Sequence, residues 1–218
     1  MTTIGVLLSG CGFMDGSEIH EAVLTLLHLD RAGATARCFA PDRDQRRVAN
    51  HRDGADASET RNTLVESARI ARGKIQDLAE IKAADLDGLI MPGGFGAALN
   101  LSSFAVDGAG GTVDTGVRDL IRELHARQKP IGAICIAPAV LALVLGDEGC
   151  ELTIGNDGGT AEALESLGAK HVVCPVTGFH VDEARHIVTT PAYMYDAKIS
   201  DVDAGIGRLV DAVLRMAR

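Results

Sequence analysis

The stretch AICIAPAV, residues 133–140, joins a short apolar run to a helix pattern that begins at a proline. The run IGAI (131–134) is typical of a buried parallel strand, and Pro138 suits the first position of a helix. Cys135 lies at the turn between them. A residue at such a sharp strand-to-helix turn is held exposed and strained, and the helix dipole favours a thiolate there. The stretch therefore predicts a strand–turn–helix unit that carries a candidate nucleophile.

The same order of a strand followed by a helix recurs along the chain. The sequence predicts strands at 3–9, 34–41, 86–94, 131–134 and 151–155, and helices at 17–33 with Ser17 as the cap, 59–73, from 97, 117–128, 137–145, 159–169 and from 203. Residues 42–60 and 104–116 are interpreted as surface segments, and apolar runs at 171–176 and 179–190 precede the last helix. Strands alternating with helices predict one α/β domain over residues 1–218, with a mostly parallel sheet and helices on both faces.

Composition limits the classes of function. The 218-residue chain is 46% hydrophobic and has a formal net charge of −9, which argues against a nucleic-acid partner because phosphate binding requires a basic surface. No apolar stretch is long enough to span a membrane, and MTTIGVLLSG lacks the basic region of a signal peptide. The five cysteines are odd in number and widely spaced, so we expect reduced thiols and a cytoplasmic location. No Cys/His cluster has the spacing of a zinc site, so we expect neither metal nor cofactor.

Three turns at the ends of predicted strands carry residues suited to catalysis. The first, SGCGFMDGSEIHE, brings Glu18, His20 and Glu21 to the start of a helix. The second, PGGFG (92–96), leaves backbone N–H groups free to bind an oxyanion, and the third is the AICIAP turn. Ligands of parallel sheets bind beyond the carboxyl ends of the strands, so these turns are expected to form the site.

Each of these features also has a purely structural interpretation. Free cysteines are usually buried packing residues, and Glu18 and Glu21 would suit the helix dipole without any catalytic role. A glycine turn after a strand is common, and this one lacks a phosphate-binding fingerprint. Cys11 also follows a strand and lies in a glycine turn, so it competes with Cys135 as the nucleophile.

Taken together, these motifs resemble a known family. The PGGFGAALNL segment, the AICIAPAVL elbow and a glutamate twelve residues before Gly33 look like the PfpI/class I glutamine amidotransferase-like superfamily. The segments SGCGFMDGSEIHEAVLTL, ETRNTLVESARIARG, PGGFGAALNLSSFA, CIAPAVL, LTIG and IVTTPAYM more closely resemble its ElbB branch, described as isoprenoid-biosynthesis amidotransferase-like proteins and as glutathione-independent glyoxalases. The resemblance implies a flavodoxin-like three-layer sandwich that forms a homodimer.

The resemblance also implies roles for individual residues. Cys135 matches the elbow cysteine and Glu21 matches its acidic partner, while Gly94 and Ile136 match the positions whose backbone N–H groups form the oxyanion hole. Many members of the superfamily have a histidine directly after the cysteine or in a later loop, but Ile136 and TIGND occupy those positions here. The remaining candidates for additional site residues are Glu18, His20 and His171.

These assignments predict a glyoxalase of the lyase class. Cys135 would add to an aldehyde of glyoxal or methylglyoxal, and Glu21 would move protons until a 2-hydroxy acid forms, with no metal and no glutathione. One alternative is a redox-sensing or protein-binding role in which Cys135 is oxidised to the sulfinic acid. Another is an amidotransferase-like subunit linked to isoprenoid metabolism, which the missing histidine disfavours.

Overall fold

Seven of the nine strands form one sheet in the computed structural model, which describes residues 1–218. The strands are β1 Thr3–Leu7, β2 Thr35–Ala40, β3 Ile75–Asp77, β4 Gly88–Met91, β5 Ile131–Ile134, β6 Glu151–Leu152, β7 Lys170–His171, β8 His180–Asp182 and β9 Ile187–Thr190. The sheet order is β3-β2-β1-β4-β5-β9-β8, and all neighbours are parallel except β8 and β9. β6 and β7 form a separate parallel pair.

Helices cover both faces of this sheet, as the alternating pattern predicts. They are α1 Ile19–Arg31, α2 Thr63–Ile70, α3 Phe95–Leu99, α4 Phe104–Asp107, α5 Thr115–Ala126, α6 Pro138–Leu145, α7 Gly158–Ser166 and α8 Ile199–Met216. Alternate residues of one strand point to opposite faces, so Leu89 and Met91 of β4 join a core with α5 and α6, while Ile90 joins one with α1 and α8. The fold is therefore the three-layer, flavodoxin-like α/β sandwich that the sequence predicts.

Several predicted boundaries differ from the structure. α8 begins at Ile199 and not at Asp203, because Val202 already belongs to the buried apolar face of the helix. The predicted strand at 151–155 is only two residues long and lies outside the main sheet. The segment 42–60 is not wholly a surface loop, since Val48 and Ala49 are buried and the Ala49 N–H donates to Asp15.

Strand order determines where the chemically rich turns lie. The chain leaves β1 to pair with β2 on one side and later returns to pair β4 on the other, so the sheet has a switch point between β1 and β4. Crevices at such switch points are the usual ligand sites of open α/β sheets. β5 is the next neighbour of β4, and the turns after β1, β4 and β5 therefore meet at one edge of the sheet.

Candidate active site

Cys135 occupies a strained turn directly after β5. Its backbone φ is +81°, a left-handed conformation that is uncommon for a residue with a side chain. The Cys135 N–H donates to the Thr190 carbonyl at 3.0 Å, which holds the turn against β9. α6 begins three residues later at Pro138, and Cys135 is 6% exposed where it lines a cavity. The strained strand–turn–helix geometry expected from the sequence is present, but Cys135 is buried and not exposed as expected.

Glu21 is a fully buried carboxyl in the first turn of α1. Its Oε2 accepts a hydrogen bond from the Gly93 N–H at 2.8 Å, whereas Oε1 makes no hydrogen bond of ordinary length. A buried polar atom without a partner is rare and needs an explanation. The Cys135 thiol and the Tyr193 backbone N–H also interact with this carboxyl and lower its pKa, so the carboxyl can accept a proton from the thiol.

The thiol and the carboxyl meet across Gly93. A Cβ on this glycine would lie 2.6 Å from the Cβ of Cys135 and 2.9 Å from Oε2 of Glu21. Burial, helped by the charge of Glu18 and opposed by the Gly93 N–H, raises the pKa of Glu21 to about 8. Burial and the facing Glu21 carboxylate also raise the pKa of Cys135. Two adjacent buried acids resist double ionisation, so they behave as one titrating pair.

Two backbone N–H groups favour the thiolate form of Cys135. Those of Gly94 and Ile136 interact with the sulfur and lower the pKa of Cys135, against the larger effect of burial. Gly94 has a φ of +89°, and a Cβ there would overlap the backbone of Gly16 and Glu18. Only glycine therefore lets the turn after β4 approach the start of α1 so closely.

Backbone hydrogen bonds join the turn after β1 to the turn after β4. The Glu18 N–H donates to the Gly93 carbonyl at 2.9 Å, and the Gly96 N–H donates to the Gly16 carbonyl at 2.9 Å. Ser17 does not cap α1, because its hydroxyl accepts a hydrogen bond from the Ser9 N–H at 2.8 Å. Glu18 caps the helix instead, through Oε2 and the Glu21 N–H at 2.7 Å. These bonds fix the position of Glu21 relative to Cys135.

The sulfur faces a cavity of about 860 Å³ lined by 15 residues, of which 10 are hydrophobic. Cys135, Ile136 and Gly94 line it, whereas the Glu21 carboxyl is fully buried and does not. A ligand in this cavity would therefore meet the thiol directly and the carboxyl only at the reacting atoms.

The other sequence-predicted candidates separate into two groups. Glu18 and His20 line the cavity, and His20 Nδ1 lies 2.8 Å from the Tyr193 hydroxyl. Cys11 and His171 do not line it: Cys11 is partly buried in the turn after β1, and His171 lies in the small β6–β7 sheet. The competing thiol and one of the two candidate histidines therefore do not line the cavity that Cys135 lines.

Sequence reasoning missed Tyr193 and the separate role of Gly93. Tyr193 lies in a short 3₁₀ turn after β9, where Ala192 has a φ of +41°, and it lines the cavity beside His20. The PAYM segment that contains it contributes to the sequence analysis only through the family resemblance. Gly93 differs from Gly94 because it packs against both Cys135 and the Glu21 carboxyl, so a side chain there would displace the pair, and no sequence pattern indicates this.

Replacing Gly93 with Ala is expected to destabilise the protein and displace the pair. The new Cβ would lie within 3.0 Å of Cys135, Ile134 and Glu21 atoms, two of them in fixed positions. Such overpacking costs about 1 to 3 kcal/mol. Urea unfolding measures the loss, with Gly110→Ala as the control because a Cβ on Gly110 meets nothing within 4 Å. Equal stability of the two variants would contradict the close approach at Gly93.

The buried carboxyl of Glu21 makes stability depend on pH. Its pKa is raised from 4.5 to about 8 on folding, so the folded state binds the proton more tightly than the unfolded state. The contribution of Glu21 to the free energy of unfolding is therefore greatest below about pH 4.5 and falls as pH rises to about 8. The full change is at most about 5 kcal/mol, from about 1.4 kcal/mol per pKa unit.

Unfolding by urea between about pH 5 and pH 8 tests this dependence. The free energy of unfolding of the unmodified protein should fall relative to that of Glu21→Gln, which carries no titrating group at this position. Glu123→Gln, which alters an exposed carboxyl on α5, should follow the unmodified protein. A pH-independent difference between the unmodified protein and Glu21→Gln would show that Glu21 is not protonated on folding.

The described residues contain no group of three or more His, Cys, Asp or Glu side chains arranged to hold a metal ion. None of the eight helices combines the length and the apolar character needed to cross a membrane.

Two mammalian proteins are similar to nearly the whole chain. The chain is 48% identical over 223 residues to the mitochondrial ES1 protein homolog of Rattus norvegicus, covering 98% of this chain and 83% of the relative. It is equally similar, at 48%, to the mitochondrial glutamine amidotransferase-like class 1 domain-containing protein 3 of Homo sapiens, covering 98% of this chain and 82% of that protein.

The cytoplasmic location predicted from the cysteines is corrected by these relatives, whose names point to the mitochondrion. Reduced, widely spaced thiols do not distinguish the two compartments.

The structural comparison extends over the whole chain. The crystal structure of an isoprenoid biosynthesis protein with an amidotransferase-like domain from Ehrlichia chaffeensis superimposes with a TM-score of 0.93 and 37% identity, covering 100% of both chains. The sequence model of the DJ-1/PfpI family matches residues 12–155, which include the turns after β1, β4 and β5. The strained Cys135 elbow and the buried Glu21 carboxyl are consistent with these matches. The chain belongs to the DJ-1/PfpI family.

Proposed function

We propose that the protein converts glyoxal- and methylglyoxal-type dicarbonyls to 2-hydroxy acids without glutathione. The observation that carries the proposal is the pairing of a strained thiol with a fully buried carboxyl whose pKa is raised to about 8. A carboxyl that is protonated near neutral pH can act as an acid and then as a base within one catalytic cycle.

The first step is addition of the thiol to an aldehyde. The pair loses its first proton from Glu21, because the pKa of this carboxyl, about 8, lies below the raised pKa of Cys135. The Glu21 carboxylate then takes the thiol proton as the sulfur attacks. The sulfur forms a bond to the aldehyde carbon while the carbonyl electron pair moves to oxygen. We expect the Gly94 and Ile136 N–H groups to bind that oxyanion, which takes the Glu21 proton and becomes a thiohemiacetal.

The second step moves hydrogen between the two carbons. The Glu21 carboxylate removes the proton from the carbon bonded to sulfur and delivers it to the oxygen of the adjacent carbonyl as the electron pair shifts, which gives an enediol. Glu21 then takes the hydroxyl proton of the sulfur-bearing carbon and returns it to the second carbon, which leaves a thioester on Cys135. Water hydrolyses this thioester, which releases the 2-hydroxy acid and restores the thiol. One dicarbonyl and one water give one acid, so no oxidant or reductant is consumed.

The arrangement supports an amidotransferase reaction less well. Transfer of ammonia from glutamine by a cysteine ordinarily uses a histidine as the general base, as in other cysteine hydrolases. His20 reaches the cavity, but its Nδ1 pairs with the Tyr193 hydroxyl. The only acid–base group that pairs with the Cys135 thiol is the Glu21 carboxyl. This pairing favours chemistry at an aldehyde.

The test is an NMR assay of glyoxal consumption with purified protein in buffer that contains a chelator and no thiol. We expect glycolate as the product, and no ammonia from glutamine in a parallel assay. Turnover below about 0.1 per second on every dicarbonyl lies outside the usual enzyme range and would contradict the proposal. Loss of turnover in chelator, with recovery on addition of zinc, would show that a metal-dependent reaction occurs instead.

A further inference from the structure

Aromatic side chains are concentrated in the cavity in front of Cys135. The chain contains five Phe, two Tyr and no Trp. Five of these seven line the cavity, namely Phe13, Phe95, Phe104, Tyr193 and Tyr195. Phe104 is buried in the core, but Phe13, Phe95 and the two tyrosines are at least partly exposed and are available to contact a ligand.

Two of these rings remain largely exposed to solvent. Phe13 is 45% and Phe95 is 51% exposed, although both contribute to the same cavity. A backbone hydrogen bond of 2.7 Å from the Phe95 N–H to the Phe13 carbonyl keeps them together, and the His51 ring packs edge-on against Phe13. Exposed apolar rings held in fixed positions beside a reactive group are typical of a ligand-binding surface.

Tyr195, another aromatic residue of the cavity lining, is held by two contacts. The Tyr195 hydroxyl donates to the Cys174 carbonyl at 2.8 Å, and a Cβ on Gly155 would lie 2.7 Å from the Tyr195 ring. Gly155 has a φ of +82°, so this close packing of ring on backbone is available to glycine but not to larger residues. A rigid aromatic wall loses little conformational entropy when a ligand binds.

The charges around the cavity exclude one class of ligand. No lysine or arginine is among the 15 lining residues, whereas Glu18 and Asp196 are. His20 is the only lining residue able to carry a positive charge, and its Nδ1 is hydrogen-bonded to Tyr193. A carboxylate or phosphate in this cavity would lose its hydration without gaining a cationic partner. Anions are therefore disfavoured, and the ten hydrophobic lining residues favour an uncharged ligand over a cation.

The size of the cavity indicates a substrate larger than glyoxal. A cavity of about 860 Å³ is in the range that holds ligands of drug size, roughly 300 to 1,000 Å³. Glyoxal has two carbons and would contact only the inner end near Cys135, leaving the aromatic wall uncovered. The wall contributes to binding only if the substrate carries an apolar group that extends from the reacting carbonyl.

We propose that the preferred substrates are uncharged α-oxoaldehydes that carry an aryl or similarly large apolar group. The aldehyde would lie at Cys135, and the apolar group would lie between Phe95 and the Tyr193–Tyr195 wall. The proposal rests on the proposed function, since it names the substrate class of that reaction.

Steady-state kinetics with phenylglyoxal and glyoxal tests the preference. We expect kcat/KM for phenylglyoxal to exceed that for glyoxal by at least about 10-fold, since even one added methylene in an apolar pocket is worth about that much. The ratio should fall in Phe95→Ala. It should not change in Val65→Ala, which removes an exposed apolar side chain of α2 outside the cavity. Turnover of glyoxal with no preference for phenylglyoxal would overturn this inference and leave the proposed function standing.

Alkylation of Cys135 separates the two proposals without requiring turnover. N-phenyl iodoacetamide should react faster than iodoacetamide, and iodoacetate should react most slowly, after each rate is normalised to free cysteine. Phe95→Ala should reduce the advantage of the phenyl reagent. If this order holds while no dicarbonyl is consumed, the proposed reaction fails and the uncharged, aryl-binding character of the site stands. Equal rates, or fastest reaction with iodoacetate, would overturn the inference.

Discussion

Replacement of Cys135 with Ser is expected to reduce glyoxal consumption to background, a loss of at least about 1,000-fold. A serine hydroxyl has nearly the volume of the thiol but is a much weaker acid, so no nucleophilic anion forms beside Glu21. The substitution should leave the fold intact, because the turn depends on the backbone bond to Thr190 and on α6. Circular dichroism and the thermal midpoint measure folding, while the glyoxal assay measures activity.

Cys11→Ser is the matched control for this prediction. Cys11 also lies in a turn after a strand, but it does not line the cavity. We expect this variant to retain glyoxal turnover. Activity that survives in Cys135→Ser but is lost in Cys11→Ser would transfer the nucleophile to Cys11.

Replacement of Glu21 with Gln is expected to lower turnover by on the order of 100-fold or more, as the loss of general acid–base catalysis usually does. Glutamine keeps the shape of the side chain and can still accept from the Gly93 N–H, so the turn after β4 should remain in place. What disappears is the group that both donates and accepts a proton. A variant that folds normally yet loses turnover would support a proton-transfer role for Glu21.

Glu18→Gln distinguishes the two glutamates of the SEIHE segment. Glu18 caps α1 through a side-chain oxygen, and an amide oxygen can do the same, so the helix start should persist. We expect a much smaller loss of turnover than in Glu21→Gln. Near-normal turnover in Glu21→Gln together with a large loss in Glu18→Gln would show that Glu18, and not Glu21, transfers the proton.

The sequence predicts the central part of the fold because that part follows local rules. Apolar runs at 3–9, 86–94 and 131–134 are buried on both sides, so their pattern indicates parallel strands without further information. The edge strands of the sheet are harder to predict from the sequence. β3 is only Ile75–Asp77, and half-buried residues with polar neighbours carry no strand pattern. β8 pairs antiparallel at the other edge, where partner choice depends on tertiary packing.

The candidate site is predictable in part for a similar reason. The strand–turn–helix unit at Cys135 is a local feature, and its strain follows from its position. Burial distinguishes Glu21 from Glu18, but it depends on the approach of the turn after β4 across 72 residues of chain. Tyr193 reaches the cavity only because β9 pairs with β5, which brings the turn after β9 beside the elbow. Contacts between residues so distant in sequence leave no local pattern.

The central claim is that Cys135 and Glu21 titrate as one pair, and the pH dependence of Cys135 alkylation tests it most directly. Iodoacetamide modification, followed by mass spectrometry of the Cys135 peptide, gives the rate at each pH. Because the Glu21 carboxylate raises the pKa of the thiol, the midpoint should move to lower pH in Glu21→Gln and stay nearly unchanged in Glu123→Gln. Superimposable curves for the unmodified protein and Glu21→Gln would contradict the claim.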